Sequence, residues 1–254
     1  MAGLLARTFR IRHYECDAYG HLNNTAYLRY LDEVEIEGGL AGRDEWRLAQ
    51  ADITYVDPVG FGDSVEVIAE TDSESPSHLL RRYRFESAGR QVATAVALWS
   101  GLGDASMAMD PVPEPPPPPA GVFRHRRRVH WQDVGETSQA SPATLSAYAE
   151  DCGIAVCDAH GWPLERCSKE GFAIVLRRHQ IAYGRPAKLG EELDLTTWAS
   201  DRSRASAIRH YVLEASGEPV ARFRSHYVWV DAGSMRPIRV PIGFLDEFRA
   251  NFSD

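Results

Sequence analysis

An acid, a histidine and two asparagines stand within the eight residues from Asp17 to Asn24, and the chain after them falls at once into helical spacing. Tyr27, Tyr30, Leu31 and Val34 make one apolar stripe, which predicts a helix ending near the glycine pair Gly38 and Gly39. The polar residues therefore crowd the start of that helix. Its first backbone N–H groups have no partner inside the helix and point along the positive end of the dipole. Such a turn can hold an oxygen that becomes an anion, and a carboxylate just ahead of it can face the carbon bearing that oxygen. Each polar residue also has a purely structural reading. Asparagine caps helices, and a loop histidine can satisfy a buried carbonyl.

The elements that position this stretch occur twice. "YVDPVGFGDSVEV" (Tyr55 to Val67) matches "YGRPAKLGEELDL" (Tyr183 to Leu195), with Asp63 against Glu191. At the same offset Arg81, Tyr83, Glu86 and Gly89 meet Arg209, Tyr211, Glu214 and Gly217. Each copy reads as a first strand (near Thr8 to Tyr14, and Phe123 to Trp131), a helix, then a run of strands. In the first copy those strands fall near 51–56, 64–71, 78–87 and 90–100. The second helix has Ser141 as its cap, Pro142 at its first position and Gly153 as its terminator. A short helix from Ile242 to Phe252 closes the chain. One helix and several strands per copy predict an α+β architecture, an antiparallel sheet wrapped on a single helix.

Between the copies runs "PVPEPPPPPA", a semi-rigid polyproline spacer of about 3.1 Å per residue. It sets the expected boundaries: a first domain at 1–110, a linker at 111–120 and a second domain at 121–254. The chemistry does not repeat with the fold. Aligning Gly135 with Gly20 puts Gln132 opposite Asp17, Glu136 opposite His21, and Ser138 and Gln139 opposite the asparagines. The expected outcome is one working site and one degenerate site. A different second site, with Asp133 or Glu136 as its acid, is the alternative.

The "D-x-x-G-H-x-N-N-x-x-Y" helix start (Asp17, Gly20, His21, Asn23, Asn24, Tyr27) precedes a "Y-x-x-P-x-x-x-G-D" strand (Tyr55, Pro58, Gly62, Asp63). In that order they resemble the hot-dog fold thioesterases, including the 4-hydroxybenzoyl-CoA thioesterase group and the acyl-ACP thioesterases. The resemblance runs through the chain twice, as in tandem double hot-dog proteins whose sheets join into a pseudo-dimer. It implies hydrolysis of an acyl-CoA or acyl-ACP thioester, with thioester sites in the seam between the halves. Asp17 takes the acid position of the motif, as general base or nucleophile. The backbone N–H of Asn24, or of a neighbour in that turn, is the candidate for polarising the carbonyl. His21 would orient water or the leaving thiolate, and Asn23 would bond Asp17 or the substrate. Tyr19 stands where the acyl-ACP enzymes place an asparagine. Tyr27 and Tyr30 are the helix residues expected to set pocket depth and so to bind substrate. Two other readings remain open: a hydratase or dehydratase of the same fold acting on an enoyl-CoA, and a non-catalytic acyl-binding module.

Composition narrows the classes further. The 254 residues are 44% hydrophobic and 25% charged, an ordinary globular balance with a formal charge of -8. That charge gives no general case for nucleic acid or an acidic membrane. The basic run Arg124 to Arg128 lacks interleaved aromatics and reads as one face of a strand. Histidines and acids never assemble into a metal pattern, so neither metal nor cofactor is expected. Without a signal-like or membrane-spanning run, and with four unpatterned cysteines, the expected location is cytoplasmic. Further pairing of double units into a homo-oligomer is left open.

Overall fold

The structure, a computed structural model, describes residues 4–38, 40, 46–101 and 109–253. The chain divides into two compact units, Met1–Pro111 and Val112–Asp254. In the first, β1 (Leu5–Arg10) leads through a 3-10 turn (His13–Glu15) to α1 (Asn24–Glu37). Four strands follow: β2 (Arg47–Tyr55), β3 (Ser64–Glu74), β4 (His78–Ser87) and β5 (Arg90–Ser100). They pair antiparallel in the order β1-β3-β4-β5-β2.

Alternation makes β4 a one-sided strand. Leu79, Arg81, Tyr83 and Phe85 are buried while Arg82 is exposed. Ala88 and Gly89 both adopt positive φ between β4 and β5, as a two-residue hairpin turn matching the strand twist requires. α1 lays its buried face, Tyr27, Leu28, Tyr30, Leu31 and Val34, on this sheet. Tyr30 stacks on Phe9 of β1, and Tyr27 meets Phe85 of β4 and Tyr55 of β2 edge-on. Gly38 caps the helix, with its N–H on the Val34 carbonyl. Gly39, the second glycine of the expected terminator, lies outside the described residues.

The second unit repeats the plan. Its elements are β6 (Phe123–Arg128), α2 (Pro142–Ala159), α3 (Leu164–Lys169), β7 (Phe172–Tyr183), β8 (Glu192–Ser200), β9 (Ser206–Ala215), β10 (Glu218–Asp231) and α4 (Ile242–Phe248). The antiparallel order is β6-β8-β9-β10-β7. Ser216 and Gly217 form the matching positive-φ turn. Each unit is thus one sheet on one long helix, the α+β hot-dog arrangement expected. Arg124 to Arg128 lie on β6, where Arg126 pairs with Asp194 of β8 at 2.9 Å. Val112, at the head of the proline run, is buried, and its carbonyl accepts from Arg222 of β10.

Two expectations are corrected here. α2 does not stop at Gly153 but runs six residues beyond it, to Ala159. The glycine serves packing instead, because a Cβ there would stand 2.6 Å from the Tyr211 hydroxyl. The closing helix ends at Phe248 and gives way to a 3-10 turn (Arg249–Asn251). Trp162, Phe172, Trp229, Phe244 and Phe248 form a core cluster in the second unit, which has the α3 insertion as one wall. Among the described residues no helix is long and apolar enough to cross a membrane.

His210 on β9 is buried, with its Nε2 2.7 Å from Ser200 Oγ. Burial, together with Arg224 and Arg209, outweighs Asp201 and pushes its pKa down to about 4. Between about pH 6.5 and 4 the unfolded chain therefore binds a proton that the folded chain refuses. Stability is fully retained above that window and falls as the pH drops through it. His210→Gln is expected to flatten this part of the urea midpoint against pH; an unchanged slope would refute the assignment.

Candidate active site

The loop from Cys16 to Asn23 is shaped mainly by its own hydrogen bonds. The Asp17 N–H donates to the His21 carbonyl at 2.8 Å, and the Gly20 N–H to the Asp17 carbonyl at 3.0 Å. Asp17 Oδ1 accepts from the backbone N–H of Tyr19 (2.9 Å) and of His21 (3.1 Å). Gly20 has φ of +79°, a conformation glycine reaches without a Cβ clash. Asp17 is half-buried, and no bond to its Oδ2 occurs among the described residues. One oxygen is a structural tie; the other remains available for chemistry.

The second motif braces the first. The Leu22 N–H donates to the Val59 carbonyl at 2.7 Å, and His21 bridges Gly60. Asp63 Oδ2 accepts from the Gly60 N–H at 2.9 Å while its carbonyl accepts from the Ile11 N–H, closing this second loop on β1. The Tyr55 hydroxyl donates to the Asn24 carbonyl at 3.3 Å. Tyr55 and Asp63 therefore hold the helix start in place.

At that start Asn23 is the N-cap. Its Oδ1 accepts from the Thr25 N–H at 2.8 Å and from the Thr25 hydroxyl, so the capping reading describes this oxygen. The Asn24 N–H, first in the helix, makes no hydrogen bond among the described residues. No acid occupies the first turn of α1, so the positive end of the dipole is not offset from within the helix. His21 joins Asp17 through its backbone; its half-buried ring has no hydrogen bond among the described residues. Tyr27 and Tyr30 are buried in the unit's core, where burial pushes both hydroxyls well above their ordinary range. Asp32, two turns into α1 and half-buried, is pushed up to about 7 by burial and by Glu33 and Glu35. Eight residues of helix rise put it about 12 Å from Asn24 along the axis, outside the Asp17 loop.

One residue escaped the sequence reading. Glu15 is buried; its Oε2 accepts from the Arg12 N–H at 2.8 Å and from the Tyr30 hydroxyl at 3.3 Å. The second unit copies the device, with Asp133 accepting from the His130 N–H and the Tyr148 hydroxyl. Acid and tyrosine are 15 residues apart in both units, which was the available signal.

That pairing also corrects the alignment of the second motif. With Asp133 under Glu15, Asp17 falls on Gly135, Gly20 on Ser138, His21 on Gln139, and Asn23 and Asn24 on Ser141 and Pro142. The bridges agree, Cys16 to Leu22 corresponding to Val134 to Ala140 and His21 to Gly60 corresponding to Gln139 to Lys188. Ser138 takes positive φ like Gly20, and Ser141 caps α2 as Asn23 caps α1. Gly135, rather than Gln132, stands where the acid would be. Among the described residues no group of three or more His, Cys, Asp or Glu side chains is arranged to hold a metal ion.

Two family models match the chain. The acyl-ACP thioesterase N-terminal domain matches residues 120–251, more than half the chain, and the acyl-ACP thioesterase C-terminal domain matches residues 4–101. This chain belongs to the acyl-ACP thioesterase family. It is a thioester hydrolase, and it carries the two acyl-ACP thioesterase domains in the reverse of the order their names give. A putative oleoyl thioesterase from Lactobacillus plantarum is similar in structure at 14% identity, covering 89% of this chain and 96% of its own, with a TM-score of 0.72. The 12:0-ACP thioesterase from Umbellularia californica gives 13% identity, 88% and 93% coverage, and a TM-score of 0.68. An acyl-ACP thioesterase from Bacteroides thetaiotaomicron gives 15% identity, 88% and 97% coverage, and a TM-score of 0.63. No curated protein sequence matches significantly. At these identities the structural likeness concerns the fold, and the family models carry the activity.

Proposed function

We propose that this acyl-ACP thioesterase works from its first unit, with Asp17 as the acid of the site and the carrier-protein thioester as its preferred substrate. The carrying observation is the pairing of an uncommitted Asp17 oxygen with a helix start whose Asn24 N–H has no partner among the described residues. In this reading the thioester oxygen docks on the Asn24 N–H, where charge develops as the carbonyl carbon is attacked. Asp17 either attacks that carbon or takes a proton from the water that does. With Asp17 as base, water attacks, the C–S bond breaks, and the proton taken by Asp17 passes to the departing sulfur, so thiol and free acid leave. With Asp17 as nucleophile, the thiolate leaves first and an acyl–Asp17 anhydride remains, which water hydrolyses to free acid, its released proton going to the thiolate. On either route His21 is placed to orient the water or the departing sulfur. Tyr27 and Tyr30, packed under the same turns of α1, limit how deep an acyl chain can reach. Gly135 leaves the second unit without the acid, so residues 121–254 act as scaffold and the 111–120 run as the link.

Carrier preference rests on the family models, and the related structures, an oleoyl and a 12:0-ACP thioesterase, suggest the acyl range to try. The test is free thiol released from matched acyl-CoA and acyl-ACP panels spanning 12:0 to oleoyl. Faster release from the carrier-protein series is expected. Faster release from the CoA series would overturn the carrier assignment.

A further inference from the structure

The acid two residues ahead of Asp17 has no assigned role, yet it is the more deeply buried of the two. Glu15 is 7% exposed, whereas Asp17 is half-buried. A buried carboxylate is retained only where its bonds offset lost hydration. Here those bonds span both ends of the Asp17 loop. Oε2 takes the Arg12 N–H at the entry and the Tyr30 hydroxyl from the second turn of α1. The Glu15 carbonyl takes the N–H of Asn23, the cap of α1, at 2.8 Å. One residue thus ties strand exit, helix cap and helix body together, and Asp17 lies between the tied points. We infer that Glu15 is the positioning residue of the active site, holding the loop that carries Asp17 against the start of α1.

The second unit supplies an internal control. Asp133 makes the same two bonds, 2.8 Å from the His130 N–H and 2.6 Å from the Tyr148 hydroxyl, around a loop that carries Gly135 instead of an acid. The clamp is therefore part of the fold in both units, and only in the first does it have a reacting group to place. That Asp133 does the task with one methylene fewer indicates that the contacts, rather than the side-chain length, matter.

The inference rests on the Asp17 reading, and paired variants separate the two. Glu15→Ala and Asp133→Ala remove the same clamp from opposite units, and both are expected to lower thermal stability by similar amounts. Only Glu15→Ala should lower kcat, by about 10- to 100-fold, with KM changed less than threefold, because loss of geometry acts on the reacting distance. Glu15→Asp should recover most of the kcat. Adding Glu15→Ala to Asp17→Asn should cost little more than Asp17→Asn alone, since the clamp acts through that carboxylate. If either alanine variant folds poorly, Glu15→Met and Asp133→Leu keep the side-chain bulk, remove the same acceptor oxygens and supply the same comparison. Equal kcat losses from both units, or a Glu15→Ala enzyme with unchanged kcat beside an inactive Asp17→Asn, would overturn the positioning role. A fully active Asp17→Asn would instead overturn the site assignment itself.

Discussion

Asp17→Asn is expected to lower kcat for thioester hydrolysis by about a thousandfold, with KM and folding nearly unchanged. The substitution suits the local geometry. An asparagine Oδ1 can still accept the N–H groups of Tyr19 and His21, which are bonded to Asp17 Oδ1 at 2.9 and 3.1 Å. The loop therefore keeps its Asx turn and Gly20 keeps its positive φ. The other oxygen becomes an amide nitrogen, which can neither attack a carbonyl carbon nor take a proton from water. Thiol release under single-turnover conditions, beside an unchanged circular dichroism spectrum, is the measurement. Wild-type rates in the folded variant would remove Asp17 from the chemistry and turn attention to Glu15, the buried acid of the same loop. Gly135→Asp in the second unit is the complementary control. One acid restored without the His21 and Asn24 counterparts, here Gln139 and Pro142, should not create a second site.

The sequence showed more of the fold than of the register. Strand alternation in β4 and β9, the paired turns at Gly89 and Gly217, and the stripe on α1 were all legible, because burial on one face imposes period. Gly153 misled because a glycine in a helix reads as a stop, while its actual constraint is the Tyr211 hydroxyl, contributed by a strand far away in sequence. The second motif misled in a similar way. Glycine-to-glycine alignment chose Gly135, but Ser138 bears the positive φ, and the acid–tyrosine bonds and the matching bridges reveal the true offset. At the site, residue types identified Asp17 and the helix start. Which Asp17 oxygen is tied, and that Asn23 Oδ1 is occupied by Thr25, are matters of three-dimensional bonding that no spacing encodes.

The largest stability effect is expected inside the first unit, at Glu35. This carboxylate is 1% exposed; its Oε1 accepts the Tyr83 hydroxyl at 2.6 Å, and the Trp99 indole N–H donates to the same hydroxyl. Arg81 Nε stands 3.1 Å from Oε2, near enough to pair by charge but not aligned as a hydrogen bond, and Arg81 Nη1 has no hydrogen-bond partner among the described residues. Burial raises the Glu35 pKa against the pull of Tyr83 and Arg81. The folded chain thus holds this proton more tightly than the unfolded chain, and stability falls as pH rises through the window above 4.5. Glu35→Ala leaves the Arg81 charge buried and alone, and should lower unfolding free energy by about 3–5 kcal/mol, read from the urea midpoint. Removing both charges as Glu35→Leu with Arg81→Met should recover most of that loss and flatten the pH slope. The second unit gives the reason. At the position of Glu35 it has Gly153, Tyr211 turns to Tyr227 at 3.2 Å, and Arg209 reaches Asn251 at 3.1 Å, so the fold closes over this spot without the acid. A double variant as unstable as Glu35→Ala would show that the ion pair, and not the space it fills, holds the first helix to its sheet.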